Sequence, residues 1–363
     1  MRNVTNHSYA TPKYTVVKEG SHYHVYDEWG ILQLSTSSLA TAVNSEAFNG
    51  LTAGRTGAQE VFVKNDAALD DTILQPNNSI LTIAGDITLD AGVNAAMVTN
   101  LNTDPHNMTI RGKGRLQGNS AAQAGTSHGV YIHQTVDCAL SDRNVFIEDI
   151  EVLDTLTHAV YGFDDGVTNP TIMNIKNAIL RAAGAAGSGL CLHSVSDFIM
   201  TNLDCGGNDA PAVKLTGSGT GTIAGLRTDG GVQLIACRSL AISPIMLDPY
   251  NRDIRGLDMY GCQHCVIGGG IIRAASDSGF NTQDAIRVES DTGNNAWYNV
   301  LFDIYCGRIS PYTSTQRWAY GIHEVESGAG DTDNNSYTGI ITKDCINANV
   351  KVGASSTITG GVT

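Results

Sequence analysis

Along most of the chain, apolar and polar residues alternate in short runs bounded by Gly, Asn and Asp, the pattern of brief strands joined by turns. One strand-like segment recurs with its central residue at Ile83, Ile110, Ile147, Ile175, Met200, Ile235, Met259, Phe302 and Ile341. Its spacing varies from 24 residues (235 to 259) to 43 (259 to 302). A second segment alternates with it: a small residue, an aliphatic, a variable position, usually an aliphatic, then a variable position. It begins its aliphatic pair at Val130, Val160, Leu190, Val213, Ile245, Ile286 and Ile322, and the second aliphatic fails at Gly162 and Glu324. Two alternating ladders with a variable period above about 22 residues predict an all-β solenoid, a single-stranded parallel β-helix. Each circuit stacks its inward residues on those of the next, and loops leave at the corners because closing a longer loop costs little more. At ~4.8 Å per coil, eight to ten coils predict a rod of roughly 40–50 Å.

The ends depart from the repeat, as solenoid ends must. Ser38 to Gly50 predicts a short amphipathic capping helix, with Ser38 as N-cap, Leu39, Ala42, Val43 and Phe48 as its apolar stripe, and Gly50 as its stop. Before it, Tyr14–Lys18 and Tyr23–Asp27 predict a hairpin turning at Glu19-Gly20-Ser21. The expected organisation is a hairpin and helix over 1–55, the β-helix over 56–352, and a Gly/Ser/Thr-rich tail over 353–363 that either adds a last strand or dangles.

Composition narrows the function classes. Forty glycines in 363 residues lack a three-residue period, which excludes collagen, and 16% charged residues argue against disorder and coiled coil. The net charge of −14 disfavours nucleic acid and anionic membrane surfaces as partners. No run approaches the ~18 apolar residues of a spanning helix, so membrane insertion is not expected. Met1 to Ser8 lack the apolar core of roughly 7–15 residues of a secretory leader, so no signal peptide is expected in this chain. Eight cysteines lie between 138 and 345, several at the ends of strand-like runs. That placement favours small buried thiols stacked in a ladder, with disulfides as the alternative. Cys262-Gln263-His264-Cys265 has no second Cys/His pair at zinc spacing, so no metal site is assigned to it.

The order of hairpin, capping helix, Val61-Phe62-Val63-Lys64, Thr72-Ile73-Leu74 and Ser79 to Gly85 resembles the entry to right-handed β-helix proteins of the pectate-lyase-like class. Met108-Thr109-Ile110-Arg111-Gly112-Lys113-Gly114-Arg115-Leu116-Gln117-Gly118-Asn119 looks like the glycine-spaced turn of that class. Thr292-Gly293-Asn294-Asn295 and Asp333-Asn334-Asn335 are similar to its asparagine turns. The resemblance covers about residues 12–352. It implies a right-handed helix, and a class that includes polysaccharide lyases, polygalacturonase-like hydrolases, phage tailspikes and non-enzymatic adhesins. It also implies trimerisation. Phe163-Asp164-Asp165-Gly166 and Asn281-Thr282-Gln283-Asp284 are similar to polygalacturonase elements, but their order is reversed and a Gln interrupts the second. No catalytic role is carried over, and a turn is the plainer reading.

If the aliphatics of the second segment point inward, its alternate residues form two outward columns. One reads Tyr131, Tyr161, Cys191, Lys214, Met246, Arg287, His323; the other reads His133, Phe163, His193, Thr216, Asp248, Glu289, Val325. Sugar rings stack on aromatics, while carboxylates, guanidinium and imidazole bond hydroxyls or acids. Tyr131, His133, Tyr161, His193 and His323 are therefore the candidate substrate-binding residues. Asp248 and Glu289, on what read as successive coils, would lie ~5 Å apart, within glycosidase carboxylate-pair geometry. Lys214 and Arg287 complete the candidate catalytic set as base and charge neutraliser. The plain alternative is a solvated polar face. Asp331-Thr332-Asp333-Asn334-Asn335 offers oxygens that suit calcium, or a simple turn; otherwise no cofactor is expected.

The expected protein is a virion- or cell-surface β-helix of the tailspike or adhesin kind that engages a polysaccharide or cell-surface glycan, and the resemblance implies that it is a homotrimer. The alternatives are a polysaccharide lyase or glycoside hydrolase using the outward strip, and a structural rod without ligand.

Overall fold

Alternation with period two puts every second side chain of a strand inside, and one inward column per strand gives each coil a narrow apolar centre. The computed structural model describes residues 11–138, 143–167, 171–207, 210–249, 254–273, 283–290, 293–307, 317–326, 330–343 and 345–360. It is a right-handed parallel β-helix. One sheet, here the front sheet, stacks eleven parallel strands in chain order: Ile73–Gln75, Val98–Asn100, Val130–Gln134, Val160–Asp164, Leu190–His193, Val213–Thr216, Val232–Ile235, Leu257–Tyr260, Ile286–Ser290, Tyr320–Glu326 and Ala348–Lys351. Ten steps between these strands give a rod of ~48 Å. Among the described residues, 21 further strands form the back sheet, which has two limbs per coil for most of its length. One continuous core fills the interior, from Val16 to Ile340, dominated by Val, Ile, Leu, Ala, Met and Cys.

The two back limbs meet at a corner that places one residue in the left-handed region in most coils, the coil turning at Ser243-Pro244 excepted. Asp149, Asn177 and Asn202 hold φ of 53°, 50° and 53° there, and the corner continues through Gly225, Gly269, Asp303 and Gly339. Gly, Asn and Asp reach that conformation at least cost. The side chains also stack: Asn202 Nδ2 donates to Asn177 Oδ1 at 2.9 Å, and Asn177 Nδ2 to Asp149 Oδ1 at 2.8 Å. A buried asparagine ladder supports a second corner. Asn299 N and Nδ2 donate to Asn335 Oδ1 at 2.9 and 3.0 Å, and Asn335 Nδ2 donates to Ala296 O at 3.0 Å. Asn335 comes from one of the asparagine turns read in the sequence, whereas its partner is Asn299 rather than Asn294 or Asn295. Thr292 of the other motif lies outside the described residues.

At the N-terminal end, Tyr14–Glu19 and His22–Asp27 pair antiparallel around Gly20, and Leu32–Thr36 adds a third strand. Tyr14–Val16 then pair in parallel with Val61–Val63, tying the hairpin to the back sheet. Ser38 caps the helix through Oγ, which accepts from Thr41 N at 3.0 Å. Leu39–Thr41 is one α turn, continued by wider π-type turns over Ala42–Phe48. Leu39, Ala42, Val43 and Phe48 are all buried. At the other end, Thr357–Thr359 pair with Ser336–Thr338, so the tail adds a strand. Among the described residues, no helix is long and apolar enough to cross a membrane.

Three segments exchange ladders relative to the sequence reading. Val232–Ile235 and Leu257–Tyr260 belong to the front sheet, and Ile245–Leu247 to the back. The cause is a short coil: only 19 residues separate Val213 from Val232 (232 − 213), below the period inferred from the sequence. Its back strand, Gly219–Thr228, reads Gly-Thr-Gly-Thr-Ile-Ala-Gly-Leu-Arg-Thr and passes for a turn by composition. With that strand unrecognised, every later assignment slips by half a coil until Ile286 restores the register.

The eight cysteines are free thiols, seven of them buried. Cys205 and Cys306 occupy one inward column of the back sheet, separated by Thr228, Leu247 and Ile272. Burial pushes both thiols well above their ordinary range.

Candidate functional site

The front-sheet register defines the outward columns directly. The first reads Thr99, Tyr131, Tyr161, Cys191, Lys214, Gln233, Asp258, Arg287, His323, Lys351. The second reads His133, Phe163, His193, Thr216, Ile235, Tyr260, Glu289, Val325. Gln233 and Asp258 therefore stand where Met246 was expected, and Ile235 and Tyr260 where Asp248 was expected. Asp248 follows Leu247 on the back sheet, and its carboxylate is held by Arg273, whose Nε donates to Oδ1 at 2.9 Å. Asp248 and Glu289 sit on different sheets, so the strand register does not pair them as adjacent carboxylates.

The strip divides into two tracts. In the first, rings stack from coil to coil. Tyr131 and Tyr161 lie 5.2 Å apart and 9° from parallel. His133 meets Phe163 at 5.1 Å, and Phe163 meets His193 edge-on at 5.1 Å. Two further imidazoles complete the tract: His128 stacks on Tyr161 at 5.0 Å and on His158 at 5.4 Å. These spacings follow from the rung distance of a β-helix, since equivalent residues on successive coils repeat at ~4.8 Å. Of the four sequence-chosen residues here, Tyr131, His133, Tyr161 and His193, all join this one stack. His158 was missed, and His128 was read only within Ser127-His128-Gly129 as a loop entering a strand. Their signal lies in a repeated pentapeptide, Ser127-His128-Gly129-Val130-Tyr131 against Thr157-His158-Ala159-Val160-Tyr161.

Burial sets the chemistry of these rings. It holds both His128 and His158 down at about 4, with the neighbouring His128 and Lys214 charges adding to the effect on His158. Both imidazoles are therefore neutral near pH 7. Ser188 N donates to His158 Nδ1 at 3.1 Å, which leaves the proton on Nε2. Burial also raises the Tyr131 and Tyr161 phenols and lifts the Cys191 thiol to about 11. His128 Nδ1 and His133 Nε2 are buried without a hydrogen-bond partner. Lys214, beside His158 and Cys191, has no carboxylate partner among the described residues. A recess of about 150 Å³ opens beside Tyr131 and His133, walled by Asn100, Asn102 and Thr135.

In the second tract, charges cancel one another. Arg287 Nε donates to Glu289 Oε2 at 2.8 Å, and its Nη1 lies 3.5 Å from Asp284. His323 Nδ1 lies 2.9 Å from Asp284 Oδ2, and Lys351 Nζ 3.3 Å from His323 Nε2. Asp258 accepts from Arg255 Nη1 at 2.8 Å and from Gln233 Nε2 at 3.2 Å. Arg287, Glu289 and His323 are thus brought together. The buried Asp284 that organises them belongs to the motif set aside as a turn; Asn281 and Thr282 of that motif lie outside the described residues.

Two other motifs serve the interior. Asp164 is the last residue of its front strand, buried in register with Gln134, and burial lifts it to about 6. In the acidic run over 331–335, Thr332 Oγ1 donates to Glu326 and Asn335 Nδ2 to Glu324. Glu324 replaces the expected inward aliphatic. It accepts from Tyr337 Oη at 2.7 Å, Gly353 N at 2.6 Å and Ser356 Oγ at 2.8 Å. Among the described residues, no three His, Cys, Asp or Glu side chains converge on a metal position.

The fold and strip define a right-handed parallel β-helix with a ring-lined outer face. No family model and no curated protein sequence matches the chain. Solved structures do match. The chain is similar to the A-module of the mannuronan C-5 epimerase AlgE4 from Azotobacter vinelandii, at 15% identity and a TM-score of 0.59, covering 90% of this chain and 96% of that one. The A-module of AlgE6 from the same organism matches at 16% identity and a TM-score of 0.53, covering 90% and 95%. The enzymatically active domain of tailspike protein 2 from bacteriophage CBA120 matches at 13% identity and a TM-score of 0.50, covering 87% of this chain and 42% of that one. At these identities the likeness establishes the fold.

Proposed function

We propose that the chain engages a polysaccharide along the ring-lined tract of the front sheet, as a β-helix borne on a virion or cell surface. The observation that carries this reading is the stack of Tyr131, Tyr161, His133, Phe163 and His193 with the neutral His128 and His158. The ring faces of Tyr131, Tyr161 and Phe163 suit the C–H faces of sugars, and the Asn102 amide nitrogen in the adjoining recess can donate to hydroxyls, whereas Asn100 is held by Asn102 O and by the His133 backbone. The tract is half-buried already, so ordering it on binding costs little side-chain entropy. In the same reading the chain assembles as a homotrimer, which light scattering of the purified protein checks.

A panel of acidic and neutral polysaccharides tests binding, with mannuronan included because two structural neighbours are named for it. Tyr161→Ala is expected to weaken the retained interaction by roughly fivefold or more, from loss of a stacking platform worth about 1–3 kcal/mol. Equal binding by Tyr161→Ala and the parent chain would overturn the reading. A second reading, cleavage of the bound polymer, is favoured by one observation. The Lys214 ammonium stands unpaired beside His158 and Cys191, placed to neutralise a sugar carboxylate while a phenol or imidazole moves a proton. New reducing ends or absorbance at about 235 nm from any polymer of the panel would support it.

A further inference from the structure

The back sheet carries a second cavity, of about 660 Å³, over the coils nearest the N-terminal cap. Its volume falls in the range of roughly 300–1,000 Å³ usual for small-molecule sites. Phe62, Thr82, Arg111 and Glu148 occupy one outward column on four successive coils, and Glu60 flanks them two residues before Phe62. Gly112 and Lys113 form the adjoining corner.

The pairing in this groove is unusual. Arg111 and Glu148 are direct neighbours in the register, where a salt bridge would be the expected outcome. Arg111 instead turns the other way. Its Nε donates to Thr82 Oγ1 at 3.1 Å and its Nη2 to Glu60 Oε1 at 3.2 Å, while Thr82 Oγ1 also bonds Glu60. The three side chains form a closed network that fixes the guanidinium plane and engages two of its five N–H donors. Glu148 is left half-buried with no ion pair among the described residues, facing the same cavity as Lys113, which also has none. Beside these groups lies the ring of Phe62. A fixed guanidinium with spare donors, a free carboxylate, a free ammonium and an aromatic face together present both acceptors and donors around an apolar platform.

We infer that this groove is a second binding site, separate from the front strip, for an uncharged oligosaccharide of two or three residues. The lining charges nearly cancel: Glu60, Glu148 and Asp149 against Arg111 and Lys113. An ionic ligand therefore gains little there, whereas vicinal hydroxyls can donate to Glu148 and accept from Arg111 and Lys113. A pyranose C–H face covers Phe62. The assignment stands on the back sheet alone and does not depend on the front tract binding anything.

The test is titration calorimetry of the intact chain against an array of neutral di- and trisaccharides, with uronic-acid trisaccharides and short peptides as competing arms. At least one neutral sugar is expected to bind. Glu148→Gln and Phe62→Leu are expected to weaken it at least tenfold, and Tyr161→Ala on the front sheet to leave it within twofold. Circular dichroism melts of each variant separate lost binding from lost folding, and Glu148→Gln, altering a half-buried surface group, is expected to melt with the parent. No binding by any neutral sugar, binding of the acidic sugar or peptide arms alone, or affinity unchanged in Glu148→Gln would overturn the proposal. Loss of binding in Tyr161→Ala with retention in Glu148→Gln would assign the sugar to the front tract and overturn it equally.

Discussion

Buried imidazoles give the protein an acid-side weakness that individual substitutions can expose. His128 and His158 titrate at about 4 in the folded chain against an ordinary 6.5. Between those values the unfolded chain binds protons that the folded chain refuses, so stability falls as pH drops through that window. Asp164 works with the opposite sign. Its carboxyl, raised to about 6 from 3.8, holds its proton in the folded chain, which adds stability at low pH that is lost as pH rises through 6. Melting temperature measured from pH 7 to 4 is expected to fall less steeply for His158→Gln than for the parent, and more steeply for Asp164→Asn. Space is equally specific at single residues. Gly112 has φ +136°, and a Cβ there would sit 1.9 Å from the Ile83 carbonyl oxygen. Gly112→Ala is expected to destabilise by at least about 1–3 kcal/mol in denaturant melts. Gly162 stands where the pattern asks for an aliphatic because Met173 Sδ and Leu192 already fill that space, 2.7 and 2.8 Å from the point a Cβ would occupy. Its departure from the repeat is a packing solution, legible as an exception but not as a cause.

At the scale of elements, what was legible depended on how much each strand says in aliphatics. The hairpin turn at Gly20, the Ser38 cap and the buried stripe of the capping helix follow from residue types whose local physics is strong. The front strands from Val130 to Val213 follow from repeated small-aliphatic pairs, and with them the grouping of Tyr131, His133, Tyr161 and His193. Gly219–Thr228 was illegible because Thr and Gly serve turns as readily as a thin strand. Missing it misplaced Asp248 and hid Asp258. Asp284 was hidden for another reason: its role comes from His323, which arrives one coil later along the chain. The asparagine ladder was half legible, since Asn335 was recognised and Asn299 was not. Asn335→Ala is expected to cost at least about 2 kcal/mol, because it strips acceptors from Asn299 and a donor from the buried Glu324 together. Urea melts check this, and an unchanged midpoint would mean that the ladder is dispensable.

For the whole molecule, the two tracts of the front sheet distribute charge unevenly. The Arg287, Asp284, Glu289 and His323 tract neutralises itself, while the ring tract has Lys214 as its one cation among the described column residues. Glycan retention by the ring tract is therefore expected to change less than about threefold between low and high salt, as measured by affinity electrophoresis, because few charges there await screening. A steep salt dependence would instead point to the charged tract as the contact. The variable corners have one more consequence. Steps between partnered front-sheet residues range from 19 positions, Val213 to Val232 (232 − 213), to 36, Ile286 to Ile322 (322 − 286), yet each advances the rod by the same rung. Insertions and deletions at corners leave the stack intact while shifting every downstream position. Two such chains can share their rungs and almost no residue-by-residue alignment. Likeness of fold in this architecture is therefore counted in turns, and a comparison of backbones registers it where a comparison of letters does not.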